Sequence, residues 1–383
     1  MNRAIALLLL ACPSAGAAWQ WELGGSLKGI ASFQRLRQTG VFSASNLPSL
    51  EQRFRLQGSL VRSWLRAEAA HEQSLLLQRP LPAAFPIPSL SPASAWEANS
   101  RVTGDSTTSW TQRLDRAFVQ LSYSTAELRV GKQVIDTGVG RLFTAVSQVQ
   151  RYPFVFIDQE YPKTEDAVAL AWKGPLTLEA RYLPKVRGQR KDGFHLRAKG
   201  NQGGYDVAIT AGRSDDKPYV GIEAAGNLGD SLLRAEIVGY EWGSASAVQA
   251  LVGIDRVFSP SWSGQAEVFF NGFGTAGGYT FGPFTHRSAP YRGRWYAGAS
   301  ATWTISPRWK ASFGGMANLH DPSGLAYLHT ECSLRESLDL VVGQYLGLGG
   351  VSSELGGRLA VPGLPGVAVG LPDTSFVELR YYF

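Results

Sequence analysis

The chain has 383 residues, a formal charge of +6, 18% charged and 44% hydrophobic residues, 43 glycines and two cysteines. That apolar and aromatic content excludes a disordered chain, and so few cysteines exclude a fold stapled by disulfides. The cations are interleaved with acids rather than gathered in a patch, which excludes a nucleic-acid partner.

In chain order the first element is MNRAIALLLLACPSAGAAW, with a cation at Arg3, an apolar run from Ala4 to Cys12, and the small residues Ala15, Gly16, Ala17 and Ala18 before Trp19. This pattern predicts a signal peptide over residues 1–18, too short to span a bilayer. Cys12, after Leu-Leu-Ala, leaves a lipoprotein cleavage site open as the rival; cleavage after the small residues leaves Cys332 as the single thiol. Beyond Trp19 there is no apolar run of about 18 residues, so a transmembrane helix is unavailable.

The remainder, residues 19–383, reads as one domain. Helical periodicity is absent, and period-two alternation predicts strands at 20–34, 52–62, 64–77, 113–123, 126–134, 166–173, 175–183, 193–200, 204–212, 218–227, 231–241, 247–257, 262–271, 294–305, 308–319, 325–335, 338–347 and 374–383. Their even number, about 18, suits a barrel with both chain ends on one side; about 16 stays open, since the segment 354–361 is placed in a loop.

The connections alternate strictly in kind. Short turns such as Arg62-Ser63, Ser124-Thr125, Gly174-Pro175, Gly229-Asp230 and Ser306-Pro307 interleave with long stretches at 35–51, 78–112, 135–165, 272–293 and 348–373. Trp64, Tyr123, Trp172, Trp262 and Trp309 sit beside the short turns, as an interfacial aromatic girdle requires. A soluble sandwich has no reason to obey either rule.

Each strand has one aliphatic parity and one charged parity. Arg66 and Glu68, Glu127 and Arg129, Glu179 and Arg181, Arg234 and Glu236, and Glu378 and Arg380 stand two residues apart, with Arg116, Arg197, His195, Glu223 and Glu267 among the further members. A charged face is costly in a dry core and natural in a wet lumen, so these residues are assigned to the inner wall, where opposite charges pair across strands.

The chain ends FVELRYYF, with Phe383 last and Tyr381, Leu379 and Val377 on its face. This ending, with the loop asymmetry, resembles Gram-negative outer-membrane β-barrels of the porin-like type, over essentially all of residues 19–383. The resemblance implies an all-β, transmembrane, antiparallel up-and-down barrel in the outer membrane. It also implies that Val377, Leu379, Tyr381 and Phe383 form the signal read by the barrel assembly machinery, which pairs with an exposed strand edge. In general porins the loop after the fifth strand folds into the lumen. By that resemblance the loop 135–165 is the candidate constriction, set by Arg141, Arg151, Asp158, Glu160 and Lys163, with Gly138 and Gly140 allowing its fold and Leu142, Phe143, Phe154, Val155 and Phe156 packing it. The alternative is an external lid.

Catalytic motifs fail on context. Gly229-Asp230-Ser231-Leu232 lies in a strand-to-strand turn rather than after the first strand of an α/β fold, and Gly138-Val139-Gly140 lacks the third glycine and the helix of a dinucleotide site. The five histidines show no metal-ligand spacing, and no Cys-x-x-Cys-His occurs, so no cofactor is expected. The expected function is passive diffusion of small hydrophilic solutes, with outer-membrane lipid around the barrel. The rivals are a scaffold that sheathes a lipoprotein or cytochrome, and a barrel hydrolase. Oligomeric state is left open.

Overall fold

The computed structural model describes residues 18–35, 38–39, 46–78, 100–104, 107–135, 137–147, 157, 160–161, 164–184, 192–214, 217–242, 245–280, 291–350, 352–362 and 368–383. Among these residues the wall strands are β1 Gln20–Arg35, β2 Asn46–Arg62, β3 Leu65–Gln78, β4 Thr108–Tyr123, β5 Ala126–Val134, β6 Thr164–Lys173, β7 Thr177–Leu183, β8 Gly193–Gln202 and β9 Tyr205–Ser214. They continue with β10 Lys217–Leu228, β11 Ser231–Trp242, β12 Ala245–Ser259, β13 Trp262–Asn271, β14 Trp295–Ser306, β15 Trp309–Asn318, β16 Ser323–Arg335, β17 Leu338–Leu348 and β18 Asp373–Tyr382. Every neighbouring pair is antiparallel, and β18 returns to β1 in the register Ser26↔Tyr382 to Arg35↔Asp373, which closes the wall. Gly25 and Phe383 exchange both main-chain hydrogen bonds, at 2.9 and 3.1 Å, so the last residue completes the seam.

Closure removes the free edges that an open sheet would expose, and it satisfies main-chain groups without water. Tight turns close one rim: Gly203 and Gly204 join β8 to β9 with φ of 61° and 84°, the left-handed pair that a two-residue hairpin loop requires. No helix among the described residues is long and apolar enough to cross a membrane; the crossing is made by strands.

The wall extends further than expected on the long-loop side. β2 begins at Asn46 rather than 52, β4 begins at Thr108 rather than 113, and a further strand, Ser100–Gly104, pairs with the upper end of β4. The stretch 354–361 contributes Leu359–Ala360 to a small separate sheet with Gln38–Thr39 and Ala368–Val369, so the wall keeps eighteen strands.

Parity sorts the two faces. Leu170, Leu178, Leu196, Ile209, Ile222, Ile237, Val252, Val268, Val342, Val377 and Leu379 are exposed outward, and Trp172, Trp303, Trp309, Tyr123 and Phe383 are exposed at the short-turn rim. There Trp262 stacks on Trp303 with ring centroids 5.4 Å apart. Such a surface is stable only against lipid. The inward parity carries the charges, and Lys28, Arg55, Glu223, Arg234, Glu236, Glu267 and Glu378 are buried there. Buried charges persist only when paired, and the wall supplies the partners.

Candidate pore constriction

The inner wall is laced by ion pairs along and between strands. Arg66 and Arg116 reach Glu68 at 3.0 and 2.6 Å, Arg129 and Lys173 reach Glu127 at 3.2 and 2.6 Å, and Arg380 reaches Glu378 at 2.8 Å and Glu331 at 3.9 Å. Arg181 binds Glu179 on its own strand, while Arg197 binds Glu223 and lies 3.8 Å from Glu179. Pairs two residues apart thus close on one strand as well as across strands, a geometry that the expected cross-strand pairing did not include.

A bulge adds one group that parity does not show. The β3–β4 register shifts between Ala70 and His71, so that Asp115 and Arg116 both turn inward; Asp115 then meets Arg55, and Arg113 binds Glu72 at 2.8 Å.

Arg234 and Glu236 depart from the pattern. Arg234 binds Glu267 and Asp255 instead of Glu236, and donates to the carbonyl of Val139 at 2.8 Å. The Glu236 carboxylate accepts the main-chain N–H groups of Val139, of Gly140 at 2.6 Å, of Ala145 at 2.6 Å and of Val146 at 3.0 Å, and the hydroxyl of Thr144 at 3.2 Å. Glu267 accepts those of Arg141 at 2.6 Å and of Leu142 and Phe143 at 2.9 Å. The first part of the connection after β5 therefore lies inside the lumen, against β11–β13.

Apolar packing completes this contact. Phe143 stacks on Phe269 at 5.4 Å and meets Tyr291 edge-on at 5.6 Å, within a buried cluster that includes Val146, Tyr219, Val238, Tyr240, Leu251, Tyr296 and Met316. The Tyr240 hydroxyl donates to the Ala145 carbonyl at 3.2 Å. Lumen-facing aromatics are placed where an apolar loop covers them.

The same connection touches the wall again at the closing seam. Glu160 binds Lys28 of β1 at 2.5 Å and accepts the hydroxyl of Tyr382 of β18 at 3.1 Å. The Tyr161 ring lies 3.9 Å from the Arg55 guanidinium and 4.9 Å from the Lys28 ammonium, within cation–π range. Ile157 packs on Val341, Tyr345 and Phe376. In the closed strand order β11–β13 and the β18–β1–β2 seam are separate arcs of the ring, so the described parts of one connection, residues 137–147 and residues 157, 160 and 161, touch the wall in two places.

Comparison with protein families and with curated proteins finds no match. Solved structures do match in fold. Pseudomonas aeruginosa OpdK with vanillate superposes with a TM-score of 0.56 at 10% identity, covering 94% of this chain and 98% of that one. Pseudomonas aeruginosa OccK9 (OpdG) gives 0.56 at 13% identity over 95% and 98%, and OccK2 (OpdF) in complex with glucuronate gives 0.55 at 10% identity over 95% and 98%. The chain, a closed antiparallel barrel of eighteen strands, shares the fold of these solved structures.

Of the constriction candidates on this barrel, Arg141 and Glu160 are described, and Arg151, Asp158 and Lys163 lie outside the described residues, as do Phe154, Val155 and Phe156. Arg141 has its side chain 62% exposed and 3.9 Å from Asp255. Glu160 is held at the β18–β1 seam, so the two are not brought together. Sequence reasoning missed the roles of Lys28, Asp115, Tyr161 and Tyr382. Glu267 carried one signal: in Gln265-Ala266-Glu267-Val268-Phe269 no opposite charge stands two residues away, so its partner had to come from elsewhere.

Proposed function

We propose that the protein is a passive channel of the outer membrane of a Gram-negative bacterium, admitting small hydrophilic solutes through a lumen narrowed by the loop 135–165. The observation that carries this reading is the attachment of that loop to two separate parts of a charged inner wall. A loop so fixed narrows the passage without closing it by a separate plug domain, and Arg141 is exposed on it.

Small carboxylates are the solute class we favour. OpdK is described with vanillate and OccK2 with glucuronate. Here Arg116, Arg129, Arg181 and Arg197 keep part of their side chains open beside their paired glutamates, which gives an organic anion a succession of weak, exchangeable partners. The packing of the chain's own residues inside the lumen weighs against a sheath for a protein partner. Residues 1–18 serve as the export signal on this reading, and the outward face Val377, Leu379, Tyr381 and Phe383 of β18 as the docking face for the assembly machinery.

Planar-bilayer recording of the purified, folded protein tests the channel. Stable single-channel steps are expected, and a folded barrel that carries no current refutes the proposal. Uptake into proteoliposomes is expected to favour glucuronate over a neutral sugar of the same size; equal rates sink the carboxylate preference alone.

A further inference from the structure

Residues 138–146 aim seven main-chain N–H groups at two points: those of Val139, Gly140, Ala145 and Val146 at one carboxylate, and those of Arg141, Leu142 and Phe143 at another. Convergent N–H groups of this kind make concavities that bind anions. The backbone is shaped for the approach. Gly138 has φ of 92°, and a Cβ there would lie 2.6 Å from a carboxylate oxygen of Glu236. Glu236 and Glu267 are 3% and 2% exposed, so neither serves as a charge that a passing solute meets.

The two sites differ in how their charge is balanced. Glu267 also receives the Arg234 guanidinium, whereas Glu236 is held by four N–H groups and the Thr144 hydroxyl. We propose that residues 138–146 form a pair of anion sites for which Glu236 and Glu267 are tethered ligands. The two glutamates are positioning residues, holding the loop in the lumen by occupying those sites. The ligand class is a carboxylate, and a free small carboxylate replaces the side chain when Glu236 is cut back to alanine. This inference rests on the channel reading only for its electrical readout.

Amide hydrogen exchange over residues 139–146, measured on the full folded chain in detergent, tests it without any current. Glu236→Ala is expected to exchange about tenfold faster than the parent protein there, and sodium acetate, but not acetamide at the same ionic strength, is expected to restore protection. Glu236→Gln fills the site with an amide whose N–H groups face other donors, so it should exchange fast and gain nothing from acetate. Glu267→Ala is the second variant should Glu236→Ala not fold. Unchanged protection in the folded alanine variants, or protection that acetate cannot restore, overturns the proposal. In bilayers the alanine variant should show wider, noisier openings that acetate steadies relative to the parent in the same solution. A silent parent protein would refute the channel while leaving the exchange result to decide the anion sites.

Discussion

The loop after β5 is fixed at two places by different chemistry. Against β11–β13 its main chain donates to two buried wall glutamates; at the seam its side chains bind, with Glu160 on Lys28 and Tyr382 and Tyr161 on Arg55. The difference teaches which part of the sequence each contact depends on. The first constrains the wall and, in the loop, chiefly Gly138, Gly140 and Phe143, because any residue except proline supplies an N–H. The second constrains both partners. It also differs in strength: hydrogen bonds to a buried charge contribute about 1.5–3 kcal/mol each, without simple additivity, whereas an ion pair with one partly exposed member contributes about 0–1 kcal/mol. The Glu160 side chain is 27% exposed.

The largest effect should come from removing the first contact altogether. The double variant Glu236→Ala with Glu267→Ala strips the acceptors from seven N–H groups and leaves Arg234 with Asp255 alone among these wall acids, a loss of about 3–5 kcal/mol on the scale of a broken buried charge contact. Cleavage of the loop by added protease should then be rapid while the barrel still resists boiling-dependent gel shift. Protease resistance equal to the parent would mean that the apolar packing of Phe143 suffices.

A smaller effect is expected at the seam, where one member of the ion pair is partly exposed. Lys28→Glu and Glu160→Lys should each raise single-channel conductance and noise, and the two together should bring both back toward the parent value. If the exchanged pair behaves as the sum of the single variants, the Tyr161 stack on Arg55 holds the seam contact instead. Phe substituted for Tyr382 offers a finer step, since it removes one hydrogen bond and keeps the ring.

All eighteen strands were legible, because a wall between lipid and a wet lumen forces a strict two-residue alternation. The early start of β2 and β4 was not, since Asn46 to Glu51 and Thr108 to Gln112 extend past the lipid and need no aliphatic face. The loop was expected in the lumen by resemblance alone, from its length and its position after the fifth strand. Its contacts did not show: Gly140 and Arg141 find their acceptors 96 and 126 residues away, and a main-chain donor leaves no mark in the side chains. Asp115 was hidden by the bulge, which puts two successive residues on one face. The pair Arg234 and Glu236 misled for a physical reason, because four converging N–H groups compete successfully with a guanidinium for a carboxylate.

Charge on the loop surface gives a weaker readout of the first contact. Arg141→Glu changes the sign of an exposed side chain without touching the N–H that Glu267 accepts. Permeability should shift toward cations by roughly twofold, with conductance noise unchanged, as expected for a screened charge beside a polar passage. A rise in noise would show that the side chain also steadies the loop through Asp255.

Glu354 supplies the smallest and most discriminating test, because it uses the same chemistry from a loop instead of the wall: a carboxylate on the connection between β17 and β18 that accepts main-chain N–H groups of another loop. It takes those of Arg292 at 2.5 Å and Gly293 at 3.1 Å, together with the Asn318 amide at 2.8 Å and the Tyr296 hydroxyl. Burial pushes its carboxyl above the ordinary value of 4.5, against the hydrogen bonds that pull it down. A carboxyl raised in this way holds its proton more tightly when docked. Docking is therefore strongest below the ordinary value and weakens as pH rises through the raised one. Amide protection at Arg292 and Gly293, corrected for intrinsic exchange, should fall over that rise, and Glu354→Gln should flatten the dependence. Protection that instead grows with pH would mean that the converging N–H groups outweigh burial at this site, and would bring Glu354 into line with the charged, donor-satisfied ligand proposed for Glu236.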